Sequence, residues 1–190
     1  MNNLLYKERK LTMTRKAFLI VCLCIVSICC VYAGKVGFVA QGSPFSVQTV
    51  AGTSGKYVST YGYGFKAGVR YEIVEHFTIG LDAGESMFKF KELGTDYLVI
   101  AVRAVAGYTY NFNEKLFANA ELGAGISLRS IGSKSQTSFG MNAYIGAGYR
   151  LSSEFALTLG GDFDLGFQNG LKSKSTDFAF KTELGLILSL

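Results

Sequence analysis

Residues 177–190 read DFAFKTELGLILSL. Taken on alternate positions the stretch separates into two sets. Phe178, Phe180, Thr182, Leu184, Leu186, Leu188 and Leu190 form one. Asp177, Ala179, Lys181, Glu183, Gly185, Ile187 and Ser189 form the other. A repeat of two is that of a β-strand, whose successive side chains point to opposite faces. One face is apolar apart from Thr182; the other carries three charges and a glycine. The fold turns on which solvent the apolar face meets.

The same pattern recurs upstream. Lys35–Gln41, Thr60–Glu72, Phe77–Gly84, Tyr97–Tyr110, Leu116–Arg129, Phe139–Arg150 and Phe155–Phe167 each alternate in this way. With the last stretch they predict eight strands. Their connections alternate too. Val74–His76, Asn111–Lys115 and Leu151–Glu154 are tight, whereas Gly42–Ser59, Met87–Asp96, Ser130–Ser138 and Gln168–Thr176 are longer and polar. Short and long connections in turn describe an up-and-down antiparallel sheet with its tight turns at one end. The first long connection has room for a further hairpin, Phe45–Val50 against Lys56–Val58, which would make ten strands.

Three features choose the solvent. The polar face is crowded with glycine, among them Gly62, Gly64, Gly68, Gly146, Gly148 and Gly160. Glycine weakens an exposed strand, but inside a narrow barrel it makes room for large neighbours. The apolar face is graded: Tyr61, Tyr63, Tyr71, Phe77, Tyr108, Tyr110, Phe139, Tyr149, Phe155 and Phe167 sit towards strand ends, with aliphatics and alanines between. Rings at two depths around an aliphatic band suit two membrane interfaces. Most of the strands also reach the length of about 9–11 residues that a tilted strand needs to cross lipid. The fold class expected is therefore all-β: a transmembrane barrel with its apolar face outward, closed so that no backbone group is left unpaired in lipid.

Ahead of the barrel, Ala17–Ala33 reads AFLIVCLCIVSICCVYA after a basic segment, and Val31-Tyr32-Ala33 precedes Gly34. This is the layout of a secretory signal, so residues 1–33 are expected to be a cleaved leader and residues 34–190 the barrel domain. Met13 is an alternative start. A membrane anchor would be at the short limit for spanning, and a lipoprotein cysteine at Cys29 would follow the bulky Ile28. All four cysteines, Cys22, Cys24, Cys29 and Cys30, fall in the leader, leaving no disulfide framework or thiol chemistry beyond it.

The formal charge of +5 is misleading. Lys7, Arg9, Lys10, Arg15 and Lys16 belong to the leader; beyond Ala33 there are 14 basic and 13 acidic residues. A nucleic-acid footprint needs a basic patch in the folded domain, and none is expected.

Signal, eight alternating strands, tight turns, polar loops and a final apolar-alternating strand together resemble the small outer-membrane β-barrels of the OmpA/OmpX type in Gram-negative bacteria. The likeness covers residues 34–190 and is one of pattern. It implies residence in the outer membrane among lipid and lipopolysaccharide, with assembly machinery and periplasmic chaperones as partners. In that family the last strand usually ends in Phe and is read for insertion. Leu184, Leu186, Leu188 and Leu190 keep the alternation here and end it on Leu.

A barrel of eight strands has an interior that side chains can fill. Lys66, Arg70, Asp82, Arg103, Glu121, Arg129, Arg150, Asp162, Asp164, Lys181 and Glu183 fall on the inward set, together with Lys35 and Glu72. Buried charges are costly unless paired, so mixed signs predict a network that plugs the lumen. Counting from the turn near Val74 sets Lys66 opposite Asp82. Counting from Asn113 brings Arg103 close to Glu121. Asp162 and Asp164 are expected to answer Lys181 and Glu183. A narrow path for ions or small solutes is the functional alternative.

Catalytic chemistry has little to start from. The only histidine, His76, is in a tight turn, and the nearest serine downstream, Ser86, is at the far end of the next strand. No phosphate loop, zinc motif or calcium loop is present. The expectation is a protein that is not an enzyme, has no cofactor, and works structurally or through its loops. The lysine-bearing tips 132–135 and 172–175 are candidates for lipopolysaccharide phosphates or a host or other surface ligand. A lipid-modifying enzyme is the disfavoured reading.

Overall fold

The computed structural model describes residues 35–52, 55–91, 94–132, 134–169 and 174–190. The expected leader, residues 1–33, lies outside the described residues, as do 133 of the first lysine-bearing tip and 172–173 of the second. Nine strands are present among the described residues: β1 Val36–Gly52, β2 Gly55–Val58, β3 Tyr61–Val74, β4 Phe77–Phe90, β5 Thr95–Asn111, β6 Leu116–Ile131, β7 Lys134–Arg150, β8 Phe155–Asn169 and β9 Lys174–Ser189.

Each strand from β3 to β9 pairs antiparallel with the next, and β1 closes the circuit by pairing both β3 and β9. β9 runs along one edge of β1 from Gly37 to Gly52. β2 and β3 therefore share the other edge, β3 against Val36–Ser46 and β2 against Thr49–Gly52. β2 continues the line of β3 after a break at Ser59 and Thr60. The barrel is thus eight-stranded. Phe45–Val50 and Lys56–Val58 do pair, as the ten-strand alternative supposed, but they lengthen the first hairpin and add no strand to the wall.

The strands are longer than their periodicity suggests. Gly42, Ser43 and Pro44 read as the start of a loop, yet β1 passes through them. A bulge between Ser43 and Ser46 takes up Pro44, the chain's one proline, where no ladder hydrogen bond is asked of its nitrogen. β4, β6 and β8 likewise run on to Phe90, Ile131 and Asn169.

Facing follows the alternation. Leu81, Leu122, Ile126, Ile145, Leu159, Leu184 and Leu186 stand exposed on the outer wall, with Tyr71, Phe77, Tyr108, Tyr110, Tyr149 and Phe155 towards the turn end. Tyr61, Tyr63, Phe65, Phe139, Phe163 and Phe178 are exposed towards the loop end. An outer wall this apolar is unfit for water and suited to lipid.

The inward face is polar over most of its height but not all of it. Phe88, Phe90, Tyr97, Val99 and Ala179 form a buried apolar cluster inside the loop end, with Val50 and Tyr57 packed against it. Glu85, Lys89, Lys91 and Asp96 at that end are exposed. The loop end of the β4–β5 hairpin therefore reverses the lipid-zone rule: rings inside, charges outside, as in a water-soluble barrel.

Candidate functional site

The lumen is the candidate site. Its inward glycines and the small residues beside them leave room for a tier of charges. Lys66 of β3 reaches across to β8 and β9, 3.2 Å from Asp162 and 2.7 Å from Glu183. Both carboxylates are cut off from solvent, Asp162 at 0% and Glu183 at 1% exposure. The Nδ2 of Asn142 donates to Asp162 at 3.0 Å, and the Lys66 ammonium lies 5.0 Å from the centre of the Tyr144 ring.

Arg70, also of β3, bridges two acids. One edge of its guanidinium donates to both oxygens of Asp82 at 2.6 and 3.0 Å. Its Nε and Nη2 donate to Glu121 at 2.9 and 2.6 Å. Such paired bonds suit the planar fork of arginine and hold carboxylates in fixed geometry. A third group joins Asp164 to Arg103 and to Lys181, the latter at 2.8 Å.

A fourth lies beneath the apolar cluster. Arg129 pairs with Asp177, Tyr97 donates its hydroxyl hydrogen to Asp177 at 3.0 Å, and Arg129 Nη1 donates to the Tyr97 oxygen at 3.4 Å. The hydroxyls of Ser127 and Ser138 share a bond of 2.9 Å next to Arg129.

Ten of the eleven charges anticipated in the lumen thus meet an oppositely charged partner there, but several partners differ from the count. In β3–β4 the hairpin axis falls between Glu75 and His76, with a bulge between Glu72 and Val74, so Asp82 faces Gly68 and Lys66 faces Gly84. In β5–β6 the register sets Arg103 opposite Gly125 and Glu121 opposite Gly107. Arg103 goes to Asp164 and Glu121 to Arg70 instead. Asp162 stands beside Lys181 in register, as the adjacency of the last two strands implied.

Arg150 is the exception. It sits at the turn end, donating to Asn111 at 2.6 Å and to the Glu114 carbonyl at 3.2 Å, with its guanidinium over the Phe117 ring. It braces the rim and takes no part in the lumen network. Lys35 and Glu72, 3.6 Å apart, form a second rim pair. Leu184, Leu186 and Leu188 lie on the outer face of β9, and Leu190, just past it, donates its amide to the Val36 carbonyl at 2.8 Å beside the β1–β9 seam.

Asp177, Tyr97, Asn142 and Tyr144 were not singled out from sequence. All four fall on the inward set of their strands, and that alternation was the available signal. Tyr144 lies over Gly146 and Gly160, and a Cβ at either glycine would strike its ring. Phe117 fills the space left by Gly148 in the same way. The inward glycines are sockets for these rings.

His76 has φ +72°, the left-handed region that favours glycine. Its ring lies 3.7 Å from Glu75, 3.5 Å from Asn111 and edge-on to Tyr108. Among the described residues no group of three or more histidine, cysteine, aspartate and glutamate side chains is placed to hold a metal ion.

No family model and no curated protein matches the sequence. Solved structures do. Neisserial surface protein A superposes with a TM-score of 0.62 at 15% identity, over 82% of this chain and 98% of that one. The N-terminal β-barrel domain of Pseudomonas aeruginosa OprF gives 0.48 at 12% identity, over 83% and 98%. Ail, the attachment invasion locus protein of Yersinia pestis, gives 0.46 at 17% identity, over 81% and 99%. At such identities the likeness is one of fold, and the chain has the fold of the small outer-membrane β-barrels.

Proposed function

We propose that the chain is an integral outer-membrane barrel with a closed polar lumen, that it is not an enzyme, and that it serves the envelope structurally while presenting its loop end for surface interactions. The observation that carries this reading is the pairing inside the barrel. Lys66, Arg70, Arg103, Arg129 and Lys181 each meet a carboxylate within the wall. Charges held in such pairs are committed to one another. A general acid or base needs a substrate within hydrogen-bond reach, and the two voids found among the described residues of the lumen, about 20 and 10 Å³, are the size of single waters.

The loop end supports an interaction role. Lys56, Lys89, Lys91 and Lys134 are exposed there, outnumbering the exposed Glu85 and Asp96, on strand ends that continue past the upper ring of aromatics. Phosphates of lipopolysaccharide or an acidic surface ligand fit this collar. Insertion by the outer-membrane assembly machinery, reading the Leu184–Leu190 face, belongs to the same proposal.

The test has two parts. Cells expressing the chain are fractionated, and the membrane fraction is run on gels with and without heating. Outer-membrane recovery and a heat-dependent mobility shift are expected; a soluble periplasmic product overturns the reading. The purified protein is then placed in planar bilayers, where a silent trace is expected and reproducible single-channel steps reject the closed lumen.

A further inference from the structure

Two features stand across the lumen on its loop side, the ion-pair tier and the apolar cluster. They differ in hydration. Buried oxygens without a hydrogen-bond partner in the protein occur along the polar height of the barrel: Asn119 Oδ1 near the turn end, Gln41 Oε1 and Asn142 Oδ1 at mid-height, Ser46 Oγ and Gln48 Oε1 towards the loop end. Buried polar atoms in folded proteins find partners, and where the protein supplies none, water does.

Two small voids lie in the same zone. One, about 20 Å³, is bounded in part by Ser43, Lys66, Asp82, Ser86 and Arg103. The other, about 10 Å³, is bounded by Gln48, Arg103, Arg129 and Lys181 and ends against Phe88. A void of roughly 10–15 Å³ suffices for one water with polar neighbours. The two share Val99, Arg103 and Lys181, so they follow one another along the lumen.

The apolar cluster has the opposite character. Phe88 and Phe90 are 1% and 2% exposed although they stand at the tip of a hairpin. Phe90 and Tyr97 meet edge to face with centres 5.7 Å apart. Apolar constrictions of this kind stop ions by excluding water, with no charge needed.

We propose that Phe88, Phe90 and Tyr97 form a hydrophobic seal that closes the loop-side mouth of a hydrated lumen, and that this seal, rather than the ion-pair tier below it, is the barrier to ions. The inference rests on the closed, membrane-inserted barrel proposed above. Water occupies the lumen up to the seal, and a ligand or strain that parted the β4–β5 hairpin from Val50 and Tyr57 would turn a silent barrel into a conducting one.

The full chain purified from membranes is compared in planar bilayers with Phe88→Ala, Phe90→Leu and Lys66→Gln, each first checked for the heat-dependent mobility shift. The unaltered chain and Lys66→Gln are expected to be silent, while Phe88→Ala gives discrete steps and Phe90→Leu gives rarer ones. Folded Phe88→Ala and Phe90→Leu that both stay silent overturn the seal, as does Lys66→Gln that conducts as often as Phe88→Ala. Loss of the mobility shift in both ring variants would assign the cluster to folding and overturn it as a separable barrier. Steps from the unaltered chain would reject the closed lumen itself, a different outcome from failure of the seal.

Discussion

The ammonium of Lys66 lies 2.7 Å from the Glu183 carboxylate, although their strands, β3 and β9, are separated by β1. The contact passes over β1 inside the lumen and ties non-neighbouring strands that backbone hydrogen bonds do not join. Lys66 also serves Asp162. Removing it leaves two buried carboxylates short of a cation, and breaking a buried pair costs about 3–5 kcal/mol. Lys66→Met is expected to lose stability on that scale, measured by urea unfolding of the barrel in lipid vesicles. Adding Glu183→Leu should recover part of the loss. Additive losses would mean that the contact carries no coupling.

Arg70 makes a sharper case because it holds Asp82 and Glu121 through both edges of its guanidinium. Lysine keeps the charge but offers a point, not a fork. Arg70→Lys is expected to destabilise by about 1–3 kcal/mol, the cost of leaving buried acceptors unsatisfied. If Arg70→Lys unfolds at the same urea concentration as the unaltered chain, charge alone suffices and the fork geometry is irrelevant.

The fold was legible in sequence because lipid imposes a simple rule. Every second side chain of a wall strand should be apolar, and Phe155–Phe167 and Phe178–Leu190 follow this with only Gly161 and Thr182 departing from it. The lumen partners were not legible for two reasons. Contacts such as Lys66–Glu183 and Arg103–Asp164 skip one or two strands, and hairpin counting sees only neighbours. Register also shifts where local geometry departs from the ideal, as at the bulge after Glu72. The apolar seal escaped because Met87–Asp96 carries Lys, Glu, Gly and Asp, the composition of a loop. Phe88 and Phe90 are inward there only because β4 continues to Phe90.

Gly148 and Phe117 form a pair that can be separated. A Cβ at Gly148 would overlap the Phe117 ring, whereas one at Gly42 would meet nothing within 4 Å. Gly148→Ala is expected to cost about 1–3 kcal/mol, as overpacking does, and Gly42→Ala much less. Phe117→Leu in the Gly148→Ala background should restore part of the stability by vacating the space. Equal effects of the two alanines would show that the socket is not what limits substitution.

His76 holds φ +72° without being glycine. The left-handed region costs an ordinary residue roughly 1–2 kcal/mol. His76→Gly should therefore gain about 1 kcal/mol in vesicle unfolding, since the ring's neighbours lie on the exposed rim. A loss of stability would mean that the contacts with Glu75, Asn111 and Tyr108 outweigh the backbone strain.

Leu122 tests the outer wall directly. It is 68% exposed, lies mid-strand between Ala106 and Ala143, and faces the zone assigned to lipid. Thr137 is also exposed on the outer face, but beyond Phe139 towards the loop end. An arginine near the bilayer midplane costs about 2–4 kcal/mol, falling to about 0–1 near the interfaces. Leu122→Arg is expected to show the larger cost in vesicles and Thr137→Arg the smaller. Because the penalty comes from lipid, the gap between the two should follow bilayer thickness, widening in longer acyl chains and shrinking in shorter ones. Equal costs at the two positions, independent of chain length, would mean that Leu122 does not face hydrocarbon and that the apolar wall is covered by something other than a bilayer.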